Sequence, residues 1–532
     1  MNLPPAKLRK TFRSKIEAIV GPGGFSAENL DRFNYARDSG FKSAIRIKYN
    51  RLEPLPDIIV WPENTLQVQK LVKAAIRHRV PIVPYGAGSG VCGGTVPVKG
   101  GMIVDMKKMR KLIRLDKDNL LVEAEAGTMG LHLENELERK GYTLGHFPSS
   151  ILCASLGGYL AARSAGQKSS RYGKIEDMVR EMEIVTGTGE IIRTTSVSNK
   201  EGIDLNHVFL GSEGTLGLIT KATLRIHPKP QAEAFRGIRF KNLKTGIEAL
   251  RRMIQSGIRP AVMRLYDELD SFMLFSFKNK GKGFKIPGLL ESVQGLLKSQ
   301  SLQAALALPQ TFQALTKMIP GGCVLILMHE GDSRIVAEEQ KIAMEIASGL
   351  GGSDMGEEPG KHWYAHRYSV SYKASPLFYS GAFTDTVEVA ASWDKIGELY
   401  DAMTKALSPH ALVMAHLSHA YPDGGAFYFT FVAPLKGLKK SEELFDLIWD
   451  HAMETCQKVG GVISHHHGVG RLKAKFVTSE WGEGAEIFGI FKELYDPHSI
   501  MNPGKLYIPE TPLNYPPLKK GGRGDFPQGA AA

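Results

Sequence analysis

The stretch Pro84-Tyr85-Gly86-Ala87-Gly88-Ser89-Gly90-Val91-Cys92-Gly93-Gly94 stands behind the mostly apolar run Val80 to Val83. Glycines this dense let main-chain N–H groups converge on a ligand with no Cβ in the way, which is how a loop cradles a pyrophosphate. It is a candidate phosphate loop, and the residues directly after it decide the fold. Gly88, Gly90 and Gly93 spell GxGxxG, but that dinucleotide fingerprint needs a helix directly after the glycines. The chain instead runs Gly94-Thr95-Val96-Pro97, turns at Gly100-Gly101 and enters the strand-like Met102-Ile103-Val104-Asp105-Met106. Strand, glycine loop, strand argues against the nicotinamide-type fold.

On either side of the loop the chain mixes strand and helix. Asp57 to Val60 reads as a strand and Thr65 to Arg79 as an amphipathic helix. Short strands are expected around Ile103, Leu121 to Ala124 and Arg180 to Val185, with a helix over Leu131 to Lys140. That alternation is an α+β pattern. Near the start, Leu8, Phe12, Ile16 and Ile19 share one helical face and predict a docking helix, with no apolar core of a signal peptide. Thr143 to Ala162 carries no charged residue, but Pro148, Gly157, Gly158 and its hydroxyls predict a loop, and no transmembrane helix is expected.

A chain of 532 residues has room for two or three domains. Lys and Arg number 67 against 55 Asp and Glu, a net charge of +12, which suits anionic partners. No zinc-finger spacing, helix-turn-helix or aromatic RNA-binding pattern accompanies the charge, so nucleic acid is not expected. The cysteines, Cys92, Cys153, Cys323 and Cys456, form no CxxC, which favours a reducing compartment and no iron–sulfur cluster.

Small residues concentrate in His146-Phe147-Pro148-Ser149-Ser150, Ser155-Leu156-Gly157-Gly158, Ser164-Ala165-Gly166, Tyr172-Gly173 and Gly211-Ser212-Glu213-Gly214-Thr215-Leu216-Gly217-Leu218-Ile219. Any one of them alone fits tight sheet packing. In this order, with the glycine loop ahead and Asp496-Pro497-His498-Ser499-Ile500-Met501-Asn502-Pro503-Gly504-Lys505 behind, they resemble the FAD-binding domain of vanillyl-alcohol-oxidase-like (PCMH-type) flavoproteins.

That resemblance implies an α+β fold: a two-part FAD-binding domain of the PCMH type with a second, α/β substrate (cap) domain. The boundaries expected are an N-terminal helical segment at 1–50, the FAD domain at 51–230 and the cap at 231–459. A segment at 460–510 completes the site, and 511–532 is a disordered tail. The resemblance also implies FAD as cofactor, its pyrophosphate on the glycine loop at Pro84, Gly86, Ala87, Gly88, Ser89 and Gly90. Further cofactor contacts are implied for His146, Pro148, Ser149, Ser150, Ser155, Gly157 and Gly158. Ser164, Gly166, Tyr172, Gly173, Glu213, Gly214, Gly217, Ile219 and Asn502 complete the set. The loop from Gly86 to Gly90 offers no His or Cys, so noncovalent binding is expected, while Cys92 and Cys153 leave attachment open.

In the second region Arg264 sits among apolar neighbours. If buried, it needs an anionic ligand or a carboxylate, and Asp267 is the structural partner. Lys278 to Lys285 is a basic loop, and Gly288 to Ile319 suggests two amphipathic helices broken at Pro309. These helices suit a membrane surface, a tunnel wall or a plain helical cap. Pro512 to Ala532 has little to bury and is expected to be disordered.

Two clusters can carry chemistry. In Ile463-Ser464-His465-His466-His467-Gly468, an extended backbone would turn His465 and His467 to one side and His466 to the other. Imidazoles move protons near neutral pH or bind metal, and an exposed run is the structural alternative. The second cluster is His416, His419, Tyr421 and Asp423, where Tyr421 is a proton donor or only part of a Pro-Asp-Gly turn. Metal-bearing flavin-dependent hydroxy-acid dehydrogenases show GDGNxH-like and SGEHG-like stretches. Phe427 and His466 stand where two of those ligands would fall, so no metal is expected.

The HHHGVG run, Arg264-Leu265-Tyr266-Asp267 and Tyr421 ahead of Tyr428-Phe429 resemble the alkyldihydroxyacetonephosphate synthase family. The resemblance implies an FAD-dependent alkyl transferase of ether lipid biosynthesis, exchanging the acyl group of acyl-dihydroxyacetone phosphate for a fatty alcohol without net redox change. It implies Tyr421, His465, His466 and His467 as the proton-handling residues, with Arg264 and Lys373 holding phosphate and His416 and His419 lining the substrate. Phe147 and Ser149 replace the acidic residues of that family's HExD-like segment, and Lys373 cannot grip phosphate bidentately. The alternative is an oxidoreductase, an FAD-dependent 2-hydroxy acid (D-lactate/glycolate-type) dehydrogenase. A small-molecule or lipid substrate and a cytoplasmic location are expected. Peripheral membrane contact and a homodimer are left open.

Overall fold

The computed structural model describes residues 7–51, 53–194, 204–276, 306–311, 322–368 and 374–507. Lys373, the basic loop at 278–285, most of 288–319 and the tail from Pro512 lie outside the described residues.

The glycine loop joins two strands of one small sheet. Ile82–Tyr85 and Met102–Asp105 pair in parallel, Ile58–Val60 pairs with the other side of Met102–Asp105, and Phe25–Ser26 closes the edge. No helix intervenes between loop and second strand, as the sequence order predicts. The helix Thr65–His78 covers this sheet because Val68, Leu71, Val72 and Ala75 fall on one face, and Phe12 and Ile16 of the helix Lys10–Val20 join the same core. A second sheet of five antiparallel strands runs in the order Leu112–Asp116, Leu121–Glu125, Gly217–Arg225, Val179–Thr186, Ile191–Arg193. The uncharged stretch from Thr143 is not all loop. Leu156–Ala162 is a helix, begun where the Ser155 hydroxyl accepts the Gly158 N–H. No helix among the described residues is long and apolar enough to cross a membrane.

The second domain is a seven-stranded antiparallel sheet in the order Ser353–Asp354, Ala232–Phe240, Cys323–Gly331, Val262–Tyr266, Leu412–Ala420, Gly424–Pro434, Ala382–Ser392. Alternation along each strand divides its faces. Leu265, Leu417, Phe427, Phe429, Phe431, Val387 and Val389 pack one face against the helices Leu243–Gln255, Ile396–Leu407 and Leu438–Val459. The other face carries Arg264, His416, Tyr428 and Glu388, and the FAD-binding domain is seated on it. At the seam Lys168 meets Glu330 at 2.6 Å, and Arg171 reaches Glu339 at 3.4 Å.

After the helix Leu438–Val459 the chain crosses back. Val462 bridges Ala390 at the sheet edge, Met501 bridges Ile82 in the first sheet, and the span between passes over both domains.

Candidate active site

Register builds the polar face. Glu388 lies opposite Tyr428, Tyr428 opposite His416, and His416 opposite Tyr266, so one row crosses four strands. Simple alternation would put His419 on the opposite face from His416. A β-bulge between Leu417 and His419 instead pairs His419 with Ala426 and returns it to the polar face.

The histidine run lies on irregular backbone, so the alternation expected of an extended strand fails. The cause is Glu388, whose Oε1 accepts the main-chain N–H of both His465 (2.7 Å) and His466 (3.0 Å) and curls the chain around the carboxylate. His466 and His467 then meet on one phenol: His466 Nε2 shares a hydrogen bond with the Tyr428 hydroxyl, and His467 Nε2 lies 3.2 Å from the same oxygen. Lys473, fully buried, stands 3.6 Å from Glu388 Oε2 and donates to the Ile463 carbonyl at 2.7 Å.

Tyr421 is placed elsewhere in the cleft. Its hydroxyl meets Ser169 Oγ at 3.0 Å, Ser169 Oγ lies 2.8 Å from His419 Nδ1, and the Tyr421 and His465 rings are 5.4 Å apart. Arg264 does not pair with Asp267. Asp267 is buried beneath the sheet and accepts the N–H groups of Ala415 and Asp270, each at 2.8 Å. The Arg264 guanidinium instead hydrogen-bonds His416 Nε2, with Asp270 on His416 Nδ1 at 2.9 Å, and lies 5.6 Å over the Trp363 ring. Its Nε is buried without a partner among the described residues.

Burial governs the electrostatics. It holds His465 down at about 3, with the neighbouring His466 adding to it, and holds His467 at about 3 for the same reasons. Burial, then Arg264, lowers His416 to about 4. Burial pushes the Tyr428 phenol up, and Glu388 adds to the rise. Burial alone would raise Glu388, but His466 and Lys473 hold it well below the usual carboxylate range. The rings of His416, His465 and His467 are thus neutral at neutral pH around the Glu388 carboxylate.

The expected cofactor segments converge beside this row. Gly86 lies against Ser155, where a Cβ would stand 2.2 Å from its Oγ, and Gly88 turns at φ +65°. The Gly214 backbone rests on Pro84, Asn502 Nδ2 donates to the carbonyls of Gly94 (3.0 Å) and Glu213 (2.7 Å), and the Glu213 carboxylate accepts the N–H groups of Val469 and Gly470. Glu213 therefore spends its side chain on the protein. His146 Nε2 meets Ser164 Oγ at 2.6 Å, Ser149 accepts from Gln167 at 3.2 Å, and Gly166 packs on the Phe147 N–H. Pro148, Ser150, Gly157 and Gly158 border the same loops, whereas Gly217 and Ile219 form part of a strand. The Tyr172 ring lies 4.9 Å from His227.

Two observations fit a flavin dinucleotide. The main-chain N–H groups of residues 87–91 donate to no protein acceptor among the described residues, which leaves a run of donors for a pyrophosphate. Thr95 Oγ1, Thr128 Oγ1, His146 Nδ1, Gln167 Oε1 and His467 Nδ1 are buried without partners among the described residues.

Glu388, Lys473, Ser169 and Tyr428 are the residues that reading the sequence left without a role. A lone acid in the apolar run Val387-Glu388-Val389 is the only sequence sign of the first.

The family model described as FAD binding domain matches residues 56–195, and that of FAD linked oxidases, C-terminal domain, matches residues 229–506. An alkyldihydroxyacetonephosphate synthase of Dictyostelium discoideum is 29% identical over 95% of this chain and 82% of its own length. A glycolate oxidase subunit of Bacillus subtilis is 25% identical over 95% of the chain and 98% of its own. A solved alkyldihydroxyacetonephosphate synthase superposes with a TM-score of 0.75 at 27% identity, covering 94% of this chain and 86% of that one.

Proposed function

We propose a function from one premise, that this chain belongs to the FAD-linked oxidases: it exchanges the acyl group of an acyl-dihydroxyacetone phosphate for a fatty alcohol, forming the ether bond. The chain is an FAD-dependent enzyme. Residues 86–90, Ser155, His146 and Asn502 are the groups that would hold the cofactor. Bound there, the flavin supplies an electron-poor ring, which suits a reaction that needs an electrophile and no net oxidation.

The observation that carries the reading is the Tyr428 oxygen held between His466 Nε2 and His467 Nε2. The reaction begins by taking a proton from the carbon beside the dihydroxyacetone carbonyl. A phenol backed by two imidazoles, one of them held neutral by burial, moves that proton at neutral pH. Arg264 lies two residues along its strand from Tyr266, its guanidinium on the polar face beside His416, and would grip the phosphate. Phe427, on the apolar face, offers no ligand where a metal-dependent dehydrogenase needs a histidine, which favours the transferase over hydroxy-acid oxidation.

The test is anaerobic. The holoenzyme is mixed with palmitoyl-dihydroxyacetone phosphate, and separately with D-lactate and glycolate, while flavin absorbance and fatty-acid release are followed. Fatty-acid release with bleaching that a fatty alcohol reverses is the expected result. Bleaching by a hydroxy acid, reversed only by an electron acceptor, would overturn it in favour of the dehydrogenase.

A further inference from the structure

The Glu388 and Lys473 side chains are completely buried, and neither has a direct place in proton abstraction. Burying a charge pair is costly, and an apolar pair of similar volume commonly serves stability as well or better. The pair calls for an explanation in what it does to its neighbours.

Hydrogen bonding around His466 has two self-consistent arrangements. In one, His466 carries its proton on Nδ1, donates toward Glu388 and His465, and offers a bare Nε2 to the Tyr428 O–H. In the other, His465 donates from Nδ1 to His466 Nδ1, and His466 carries its proton on Nε2 and donates it to Tyr428. The two ring nitrogens are 2.9 Å apart, so only one of them holds the proton between neutral rings. Glu388 Oε1 discriminates. It lies 3.2 Å from His466 Nδ1 and 3.7 Å from His465 Nδ1. A bare imidazole lone pair this close to a carboxylate oxygen is repelled by it, whereas an N–H at the same nitrogen is attracted.

We infer that Glu388, with Lys473 3.6 Å from its other oxygen, is a positioning residue that selects the Nδ1–H tautomer of His466 and so leaves Nε2 free to accept the Tyr428 proton. His467 Nε2–H then donates to the Tyr428 oxygen at 3.2 Å, and every proton on the phenol is accounted for. Resting on the transferase reading, the step balances. The substrate C–H proton goes to the Tyr428 oxygen as its own proton passes to His466 Nε2, and the C–H electron pair stays on the substrate carbon beside its carbonyl. The imidazolium formed faces the carboxylate. With Nε2 already protonated, the same phenol would have no acceptor on His466.

The experiment reads the tautomer without substrate. In ¹⁵N-histidine-labelled holoenzyme at neutral pH, with the His466 signals assigned by their loss in His466→Gln, His466 Nδ1 is expected to show the protonated and Nε2 the bare signature. In Glu388→Gln, whose amide oxygen still accepts the two main-chain N–H groups, the pattern is expected to reverse. The double variant Glu388→Gln/Lys473→Met removes both charges and covers the case in which the single variant does not fold. A wild-type Nε2–H signature, or an unchanged pattern in a folded variant, overturns the assignment. If the signatures hold while palmitoyl-dihydroxyacetone phosphate releases no fatty acid, the function reading fails and the positioning role stands. Where fatty acid is released, Glu388→Gln is expected to slow it at neutral pH by about 10²- to 10⁴-fold, the span of general-base catalysis.

Discussion

In the proposed reaction Tyr428 is the residue on which the proton chemistry turns, since its hydroxyl is held by His466 and His467 while Tyr421 spends its own on Ser169. Tyr428→Phe keeps the ring and its stacking on His416, 5.2 Å between centroids, and removes only the oxygen. Fatty-acid release should fall by about 10²- to 10⁴-fold with little change in KM, whereas Tyr421→Phe should lose far less. A rapid-quench comparison of the two decides, and equal losses would place the proton elsewhere. His416 gives a pH prediction with a definite sign. The fold holds it at about 4, below the ordinary 6.5 that the unfolded chain regains. Between those values the unfolded state binds a proton that the folded state refuses, so acidification removes stability. Relative to His416→Asn, the wild type should therefore lose ground as pH falls from about 6.5 toward about 4, by up to about 1.4 kcal/mol per pH unit. Urea midpoints of the two proteins at several pH values measure the difference, and parallel curves contradict it.

At the scale of elements, the glycine loop works through contact with a helix start. Gly86 touches the side chain of Ser155, the same hydroxyl that caps Leu156–Ala162 through the Gly158 N–H at 3.3 Å. In Gly86→Ala the new Cβ would stand 2.2 Å from that oxygen, so Ser155 must rotate off the cap or the loop must lift. Loss of an N-cap costs about 1 kcal/mol, and a lifted loop misaims the N–H groups of residues 87–91. The flavin-to-protein absorbance ratio of the purified variant should fall while far-UV circular dichroism stays put. Full flavin occupancy at unchanged thermal stability would rule the contact unimportant. The strand Leu412–Ala420 shows the same economy: one bulge brings His419 to the side already holding His416, and Ser169 of the other domain meets it there.

The whole molecule is two domains closed on one polar face, and Lys168–Glu330 is the buried tie between them, with exposures of 6% and 1%. Lys168 also lies 4.6 Å from the Phe147 ring, so the ammonium is enclosed from both sides. Lys168→Met leaves Glu330 buried without its cation, which should cost about 3–5 kcal/mol. Lys168→Met/Glu330→Gln should recover most of it. Chemical denaturation of the two variants measures this, and equal losses would mean that the seam does not depend on the pair.

The sequence by itself determined the order of the fold. Strand, glycine loop and strand without a helix, the small-residue segments and the closing Asn502 motif carry their meaning in local spacing, because a cradle of main-chain N–H groups is built from consecutive residues. The three histidines were legible for the same reason, as a run. Their roles were not. Which phenol they share, that Arg264 faces His416 and not Asp267, and that His466 and His467 meet on one side depend on strand register, a bulge, and a carboxylate more than seventy residues upstream that curls the run by accepting two of its N–H groups. Glu388 and Lys473 look ordinary along the chain, since neither belongs to a motif. Burial makes them matter: only in the closed interior does a single charge pair act on a neighbouring imidazole at full strength, and only the tertiary structure decides which residues are enclosed together.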